Sequence, residues 1–308
     1  MNPDCPSFTL TSGLGSGSSK CPDFVSGCDK ILKMESNPSL HEIYAGLFID
    51  HCKDKFGWQD LTSDVIMDIG LGEKGNCGKA ILAKFPDVTS IIGVDGNPQV
   101  LHKFKQESQT KIQCVVADIE KRNSLGYYEG RMNKVVSTNV FHQLMEKEEA
   151  FRNMYRLLKP GGEAAVLFII KSISYEWLTE MLKNTKWKDA YRGYYEENLY
   201  KGGFGADQYK EMVEKIGFQV TECSEIERVI PYPSDEICKE DLYEMNGKNF
   251  MILPDLLEEF KEERFQVLLK LGARDAEGSP CFRYTHLSLL LVKPTEGSVS
   301  KTKGKTGS

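Results

Sequence analysis

The sequence has no long hydrophobic run and no sign of an export signal. Its longest uncharged apolar run, AAVLFII from Ala164, is far shorter than the roughly 20 residues that a helix needs to cross a bilayer. The N-terminal residues MNPDCPSFTL lack the basic region and apolar core of a secretory signal. We therefore expect neither membrane insertion nor secretion, and predict a cytoplasmic location.

The sequence also lacks a surplus of positive charge and any Cys-x-x-Cys pair. Its 308 residues include 39 Lys and Arg against 45 Asp and Glu, a formal net charge of -6. Nucleic-acid binding needs clustered cations, which do not occur before the C-terminal segment, so no nucleic-acid partner is expected. The 9 cysteines form an odd set without paired spacing, which predicts reduced thiols and no metal site.

What the sequence does contain is an alternation of strand-like and helix-like segments. Alternation of this kind over residues 64–170 predicts a parallel sheet covered by helices. A last strand at 281–292 is expected to pair antiparallel with a strand at 218–230. The predicted fold is α/β, with a Rossmann-like, seven-stranded, mostly parallel sheet, one antiparallel edge strand and a helical substrate cap.

One domain is predicted over residues 29–294. Its cofactor half covers about 60–170, and the cap and remaining strands cover 171–294. Residues 1–28 contain SGLGSGSSK, a flexible composition, and residues 295–308 end in SVSKTKGKTGS, which predicts a disordered tail.

The segment from Asp64 to Asp95 carries the clearest functional signal. An apolar strand ends at Asp68, the turn GLGEKG follows, and after a helix a second apolar strand ends at Asp95. Gly70 and Gly72 let backbone N–H groups approach a ligand, and the helix offers its positive end. An acid after the second strand suits the two hydroxyls of a ribose. The segment therefore predicts an adenosine-containing cofactor.

Two cofactors fit this segment. Gly70, Gly72 and Gly75 satisfy the GxGxxG pattern of dinucleotide-binding proteins, with Asp95 at a suitable distance for NAD. A carboxylate at Asp68 would, however, repel a pyrophosphate and attract the ammonium of a methionine moiety. This charge argument favours S-adenosylmethionine.

Two later features point the same way. Asp118 ends the third strand, where it is placed to accept a hydrogen bond from the adenine amino group while Ile119 packs on the ring. A KPGG turn at residues 159–162 then precedes a buried strand. Together, these motifs resemble those of class I S-adenosylmethionine-dependent methyltransferases, from about Val65 to Ile170.

A narrower resemblance extends beyond the cofactor half. EEAFRNMYRLLKPGG from Glu148, SNPSLHEIYAGLF from Ser36 and FMILPDLLEEF from Phe250 are similar to segments of arthropod juvenile hormone acid O-methyltransferases. Those enzymes methylate the carboxylate of a farnesoic-type terpenoid acid. The resemblance covers most of residues 30–292 and implies a small hydrophobic carboxylic acid as substrate.

The resemblance also implies further site residues. Asn139 and Phe141, at the end of the fourth strand, join the predicted cofactor-binding set, with the Phe141 ring facing the sulfonium. His41, His142 and Gln143 are the predicted catalytic residues. The family usually carries Gln where His41 aligns, and a His–Trp pair where this chain reads His142–Gln143.

The predicted chemistry needs no general base. A carboxylate with a pKa of about 4 to 5 is already ionised at pH 7, so catalysis consists of holding one oxygen in line with the methyl group in a dry pocket. The predicted catalytic residues would donate hydrogen bonds to the other oxygen.

The alternative functions are a methyltransferase of another small-molecule class, a non-catalytic binding protein with this fold, and an NAD-dependent dehydrogenase. The oligomeric state stays open.

Overall fold

The computed structural model describes residues 39–107, 111–193, 195 and 204–295. The predicted flexible segment at 1–28 lies outside these residues. So does the predicted tail at 295–308, apart from Thr295.

Seven strands form a single sheet. They are β1 (Val65–Ile69), β2 (Ser90–Asp95), β3 (Ile112–Val116), β4 (Met132–Thr138), β5 (Leu158–Ser172), β6 (Gln219–Pro231) and β7 (Cys281–Val292). The order across the sheet is β3-β2-β1-β4-β5-β7-β6, and β1 to β5 run parallel. The predicted Rossmann-like fold is confirmed.

The antiparallel strand is β7, and it lies one place in from the edge. It pairs with β6, as predicted, and also with β5, so that β6 forms the edge. The side chains of β7 are almost all buried, whereas those of β6 are mostly exposed or half-buried. An apolar strand needs neighbours on both sides, and a strand rich in charge tolerates the edge.

Helices cover both faces of the sheet. They are α1 (Leu40–Phe56), α2 (Asn76–Lys84), α3 (Pro98–Glu107), α4 (Arg122–Leu125), α5 (Lys147–Leu157), α6 (Ile173–Met181), α7 (Thr185–Ala190), α8 (Ala206–Ile216), α9 (Asp235–Asn246) and α10 (Leu257–Lys270). Short 3-10 turns occur at Gly126–Tyr128, Phe141–Gln143, Gly247–Asn249 and Pro254–Leu256. Helices α1, α2 and α3 pack on one face, and α5 and α8 pack on the other. Helices α6, α7, α9 and α10 share a third, aromatic-rich cluster, and we refer to these four helices as the cap.

Helix α1 is fixed at both ends. The Ser39 hydroxyl accepts a hydrogen bond from the N–H of Glu42 at 3.2 Å, and Gly57, at φ 71°, ends the helix. The spacing of His41, Tyr44 and Phe48 puts them on one face of the helix, and Tyr44 and Phe48 are buried. This spacing places His41 on the same face of α1 as the two buried residues.

Within the described part of the chain, no helix combines the length and the apolar composition that crossing a membrane requires.

The first prediction concerns the core on the α5 side. The Phe168 ring is fully buried, with its centroid 5.7 Å from that of Phe141 and 5.1 Å from that of Tyr209. We expect Phe168→Ala to lower the free energy of unfolding by about 3–5 kcal/mol, because it leaves a cavity. Urea unfolding measures the loss. Val116→Ala, at a side chain 56% exposed on the edge strand β3, is the control and should change stability by no more than about 0.5 kcal/mol. Equal losses would contradict this packing.

Candidate active site

The turn between β1 and α2 is built on glycine. Gly70 has φ 76° and donates its N–H to the carbonyl oxygen of Val94 at 2.7 Å. A Cβ on Gly70 would lie 2.1 Å from Cγ2 of Val140, so only glycine fits there. Gly72 has φ 66°, and a Cβ on it would meet only the Gly70 carbonyl oxygen, at 4.0 Å. The turn is therefore closed on its Gly70 side and open at Gly72, where a ligand can approach the backbone.

Asp95 lies at the open side of this turn. Its Oδ2 accepts a hydrogen bond from the N–H of Gly72 at 3.1 Å, and its Oδ1 accepts one from the N–H of Asn97 at 2.9 Å. Each carboxylate oxygen keeps a further lone pair, and the side chain is half-buried at the edge of the sheet. The arrangement fits the two hydroxyls of a ribose, which donate to such oxygens.

Asp68 lies beneath the turn. Its side chain is 1% exposed, and its Oδ2 accepts a hydrogen bond from the N–H of Gly78 at 2.8 Å. Burial raises the pKa of Asp68 to about 7; the Gly78 N–H opposes this rise, and the charge of Asp95 adds to it. Through this hydrogen bond the carboxyl group ties the first turn of α2 to the end of β1. The contact of Asp68 with the cofactor ammonium stays a prediction.

Asp118 lies beside Asp95 at the same edge, because β3 pairs with β2. Its Oδ1 accepts a hydrogen bond from the N–H of Glu120 at 2.9 Å, and its Oδ2 lies 3.2 Å from Nζ of Lys121. The next residue, Ile119, is 3% exposed and belongs to the core on the α5 side. Its side chain therefore packs in the core, which corrects the prediction that it covers an adenine ring.

The chain leaves β4 through a strained residue. Asn139 has φ 60°, and it is the only non-glycine residue with a positive φ in the described ranges. Its N–H donates to the carbonyl oxygen of Leu167 at 2.8 Å, and its Oδ1 lies 3.2 Å from Nε2 of His286. A left-handed conformation costs a non-glycine residue about 1–2 kcal/mol, which such contacts must offset. Strain of this kind is common at functional sites.

Phe141 follows in the 3-10 turn and points away from the cofactor edge. The ring is fully buried, 4.6 Å between centroids from Phe151 and 5.7 Å from Phe168. The prediction that it faces the sulfonium is wrong, because the turn rotates it into the core on the α5 side.

Histidines from three different elements lie near one another on the α1 side of this edge. His142 is 3% exposed and His286 is 2% exposed, while His41 of α1 is half-buried. Burial lowers the pKa of His142 and of His286 to about 3, and a charge on His41 would lower both further. Burial also lowers the pKa of His41. All three rings are therefore neutral at pH 7. The described residues hold no group of three or more His, Cys, Asp or Glu side chains that could bind a metal ion.

Gln143 stays close to its own turn. Its side chain is exposed, and its Nε2 lies 3.4 Å from the carbonyl oxygen of Asn139 and 3.5 Å from Nε2 of His142. The structure thus brings Gln143 next to His142.

His286, with the two tyrosines around it, is absent from the predicted site. The hydroxyls of Tyr44 and Tyr284 are 2.9 Å apart, and their ring centroids lie 5.6 and 5.1 Å from that of His286. A signal was present in the sequence. Tyr284, His286 and Ser288 occupy alternate positions of one predicted strand, so they share one face of the sheet.

Comparison with known proteins shows which families and proteins this chain is similar to. Residues 67–166 match the family described as "Methyltransferase domain". The chain is 21% identical over 244 residues to juvenile hormone acid O-methyltransferase of Drosophila melanogaster, covering 76% of this chain and 81% of that protein. It is 24% identical over 182 residues to arsenite methyltransferase of Halobacterium salinarum, covering 59% of this chain and 44% of that protein.

Among solved structures, the YcgJ protein of Bacillus subtilis is similar in fold, with a TM-score of 0.52 at 16% identity. The similarity covers 82% of this chain and 99% of that one. At this identity it supports the fold alone.

The second prediction follows from the buried carboxyl of Asp68. In the folded, ligand-free protein Asp68 keeps its proton up to about pH 7, whereas an unfolded Asp loses it near pH 4, so its contribution to stability is full below about pH 4 and is lost between about pH 4 and 7. Asp68→Asn removes this titration. We compare the free energy of unfolding of this variant with that of the native protein in urea experiments. The variant's value minus the native value should rise by roughly 4 kcal/mol between pH 4 and pH 8. The same difference at both pH values would contradict a raised pKa.

The third prediction concerns Asp95. We expect Asp95→Ala to raise the Kd for S-adenosylhomocysteine about ten-fold or more, because hydrogen bonds to a charged group contribute about 1.5–3 kcal/mol. Isothermal titration calorimetry measures the change. Asp87→Ala is the matched control, since Asp87 is exposed and precedes the other end of β2. An unchanged Kd for Asp95→Ala would show that the ribose lies elsewhere.

Proposed function

We propose that this protein, which belongs to the class I S-adenosylmethionine-dependent methyltransferases, transfers the methyl group to the carboxylate of a small hydrophobic acid of the farnesoic or juvenile hormone acid type. The observation that carries the proposal is the group of neutral, largely buried histidines beside the strand edge of Asp95 and Asp118. The similarity to the Drosophila juvenile hormone acid O-methyltransferase supports the choice of acceptor.

When bound, S-adenosylmethionine supplies the electrophilic methyl group. On the protein side, Asp95 would accept hydrogen bonds from the ribose hydroxyls and Asp118 one from the adenine amino group. The open face at Gly72 lets the cofactor approach the backbone. These roles leave the α1 side of the edge for the methyl acceptor.

The protonation state of the histidines favours an acceptor that is already ionised. An alcohol or an amine must lose a proton during methylation, and a general base works best with a pKa near the working pH. His142, with a pKa of about 3, is a poor base at pH 7. A carboxylate needs no base, and a neutral imidazole N–H can donate to its non-attacking oxygen. Gln143, whose amide lies 3.5 Å from the His142 ring, offers a second donor.

The surroundings favour an apolar molecule. Tyr44 and Tyr284, beside the histidines, belong to the aromatic cluster of the cap. Each methylene that a ligand buries there contributes about 0.8 kcal/mol, which offsets the cost of association. Exclusion of water also strengthens the hydrogen bonds to the carboxylate.

An arsenic acceptor is less well supported, despite the similarity to the Halobacterium enzyme. Soft, thiophilic acceptors are held by thiolates. In the described part of the chain, burial raises the pKa of the Cys52, Cys77, Cys223 and Cys238 thiols, which makes each of them a poorer source of thiolate than an ordinary cysteine.

Methyl transfer to matched acceptors tests the proposal. Purified protein is incubated with S-adenosylmethionine labelled in its methyl group and with terpenoid acids, fatty acids, and alcohols and amines of the same chain lengths. We expect methyl esters of the acids and no product from the alcohols or amines. Labelled ethers or methylamines without esters would reject the carboxylate while leaving the methyltransferase assignment in place.

The fourth prediction concerns His142. We expect His142→Phe to lower kcat/KM for the acid about ten-fold or more, because the carboxylate loses a donor while the buried volume stays filled. The Kd for S-adenosylhomocysteine should stay within about two-fold, since no cofactor hydrogen bond is assigned to this ring. His102→Phe, at an exposed position on α3, is the control. An undiminished kcat/KM in His142→Phe would remove this ring from the acceptor site.

A further inference from the structure

His286 lies where the methyl acceptor is expected. In the sheet it is opposite Ile169 of β5, two residues beyond Leu167, and Leu167 pairs with Thr138, the last residue of β4. His286 is therefore at the same edge as the turn that carries His142.

One ring nitrogen of His286 has a defined partner. Nε2 lies 3.2 Å from Oδ1 of Asn139, and an amide oxygen can only accept, so Nε2 carries the hydrogen. In a neutral ring, Nδ1 then has a free lone pair. This Nδ1 is buried and has no hydrogen-bond partner. A buried polar atom without a partner is rare in native proteins, and a ligand or an ordered water commonly completes it.

The surroundings keep this nitrogen an acceptor. The rings of Tyr44 and Tyr284 pack edge-on against the imidazole. Burial, together with the charge on Arg228, lowers the pKa of His286 to about 3, so the ring is neutral at pH 7. Such a ring can accept a hydrogen bond but does not take up the proton.

We propose that His286 is a specificity-determining residue whose Nδ1 accepts a hydrogen bond from a hydroxyl group of the methyl acceptor. Among the small hydrophobic acids proposed above, the acceptor is then a hydroxylated derivative with its hydroxyl near the carboxyl group, because Asn139 joins His286 to the turn of His142. This inference rests on the proposed function, which places the carboxylate at His142. A site that pairs a buried polar atom with a substrate hydroxyl discriminates against the analogue that lacks it.

Binding of matched acids tests the inference without turnover. Unsubstituted, 2-hydroxy and 3-hydroxy fatty acids of one chain length are titrated into protein saturated with S-adenosylhomocysteine. At least one hydroxy acid should bind about ten-fold more tightly than the unsubstituted acid, as one buried hydrogen bond allows. Equal affinities for all three acids would overturn the inference.

Two variants separate the proposed hydrogen bond from the ligand hydroxyl to Nδ1 from the existing hydrogen bond between Nε2 and Asn139. His286→Gln keeps an amide near the position of Nε2 and has no acceptor near that of Nδ1, whereas His286→Asn does the reverse. The hydroxy-acid preference should fall to about one in His286→Gln and persist in His286→Asn. His102→Gln, at an exposed position, should keep the native ratio. A preference that survives in His286→Gln assigns the hydroxyl to another group and overturns the inference.

A measurement on the native protein does not depend on the folding of these variants. The nitrogen-15 resonance of the unprotonated Nδ1 of His286 should shift when the hydroxy acid binds and stay in place with the unsubstituted acid. Identical responses to the two acids would contradict the hydrogen bond.

Ester formation tests the proposed function separately. Methyl transfer without a hydroxyl preference rejects the inference alone. A hydroxyl preference abolished by His286→Gln, without ester formation, supports the hydrogen bond from a ligand hydroxyl to His286 and rejects carboxyl methylation.

Discussion

The two halves of the site meet where Gly70 touches Val140. No side chain fits between them, since a Cβ on Gly70 would lie 2.1 Å from a methyl carbon of Val140. From Gly70 the chain continues to Gly72, whose N–H binds Asp95 on the cofactor side. Val140 follows the strained Asn139 and precedes His142 on the acceptor side. This one close approach lies between the groups assigned to the cofactor and those assigned to the methyl acceptor.

Burial then sets the charge of each group. Asp68 under the glycine turn and the rings of His142 and His286 are all less than 4% exposed. Burial disfavours the charged form, so the pKa of the acid rises to about 7 and those of the two histidines fall to about 3. The rings of His142 and His286 thus provide neutral hydrogen-bonding groups instead of a base. That combination suits a nucleophile that arrives already ionised, as a carboxylate does.

Much of this architecture was predictable from the sequence. Alternating strand and helix patterns predicted the parallel sheet, and the acids after β2 and β3 were correctly expected at one edge, since the carboxyl ends of parallel strands meet there. The directions in which the side chains point were harder to predict from the sequence. Ile119 and Phe141 occupy the expected positions in the chain, but their side chains pack in the core, because the path of the backbone after β3 and β4 decides which way each residue points. The place of β7 between β5 and β6 likewise depends on pairing between distant segments.

By itself, the sequence determined the class of fold, the glycine turn and the carboxylates that follow the strands, because those features depend on local periodicity and on residue chemistry. Only the tertiary structure decided that His286 of β7 joins His41 and His142. These residues are separated by more than a hundred positions along the chain, and no local pattern specifies the strand register that brings β7 beside β5. The same packing removes water from the rings of His142 and His286, and that burial keeps them neutral.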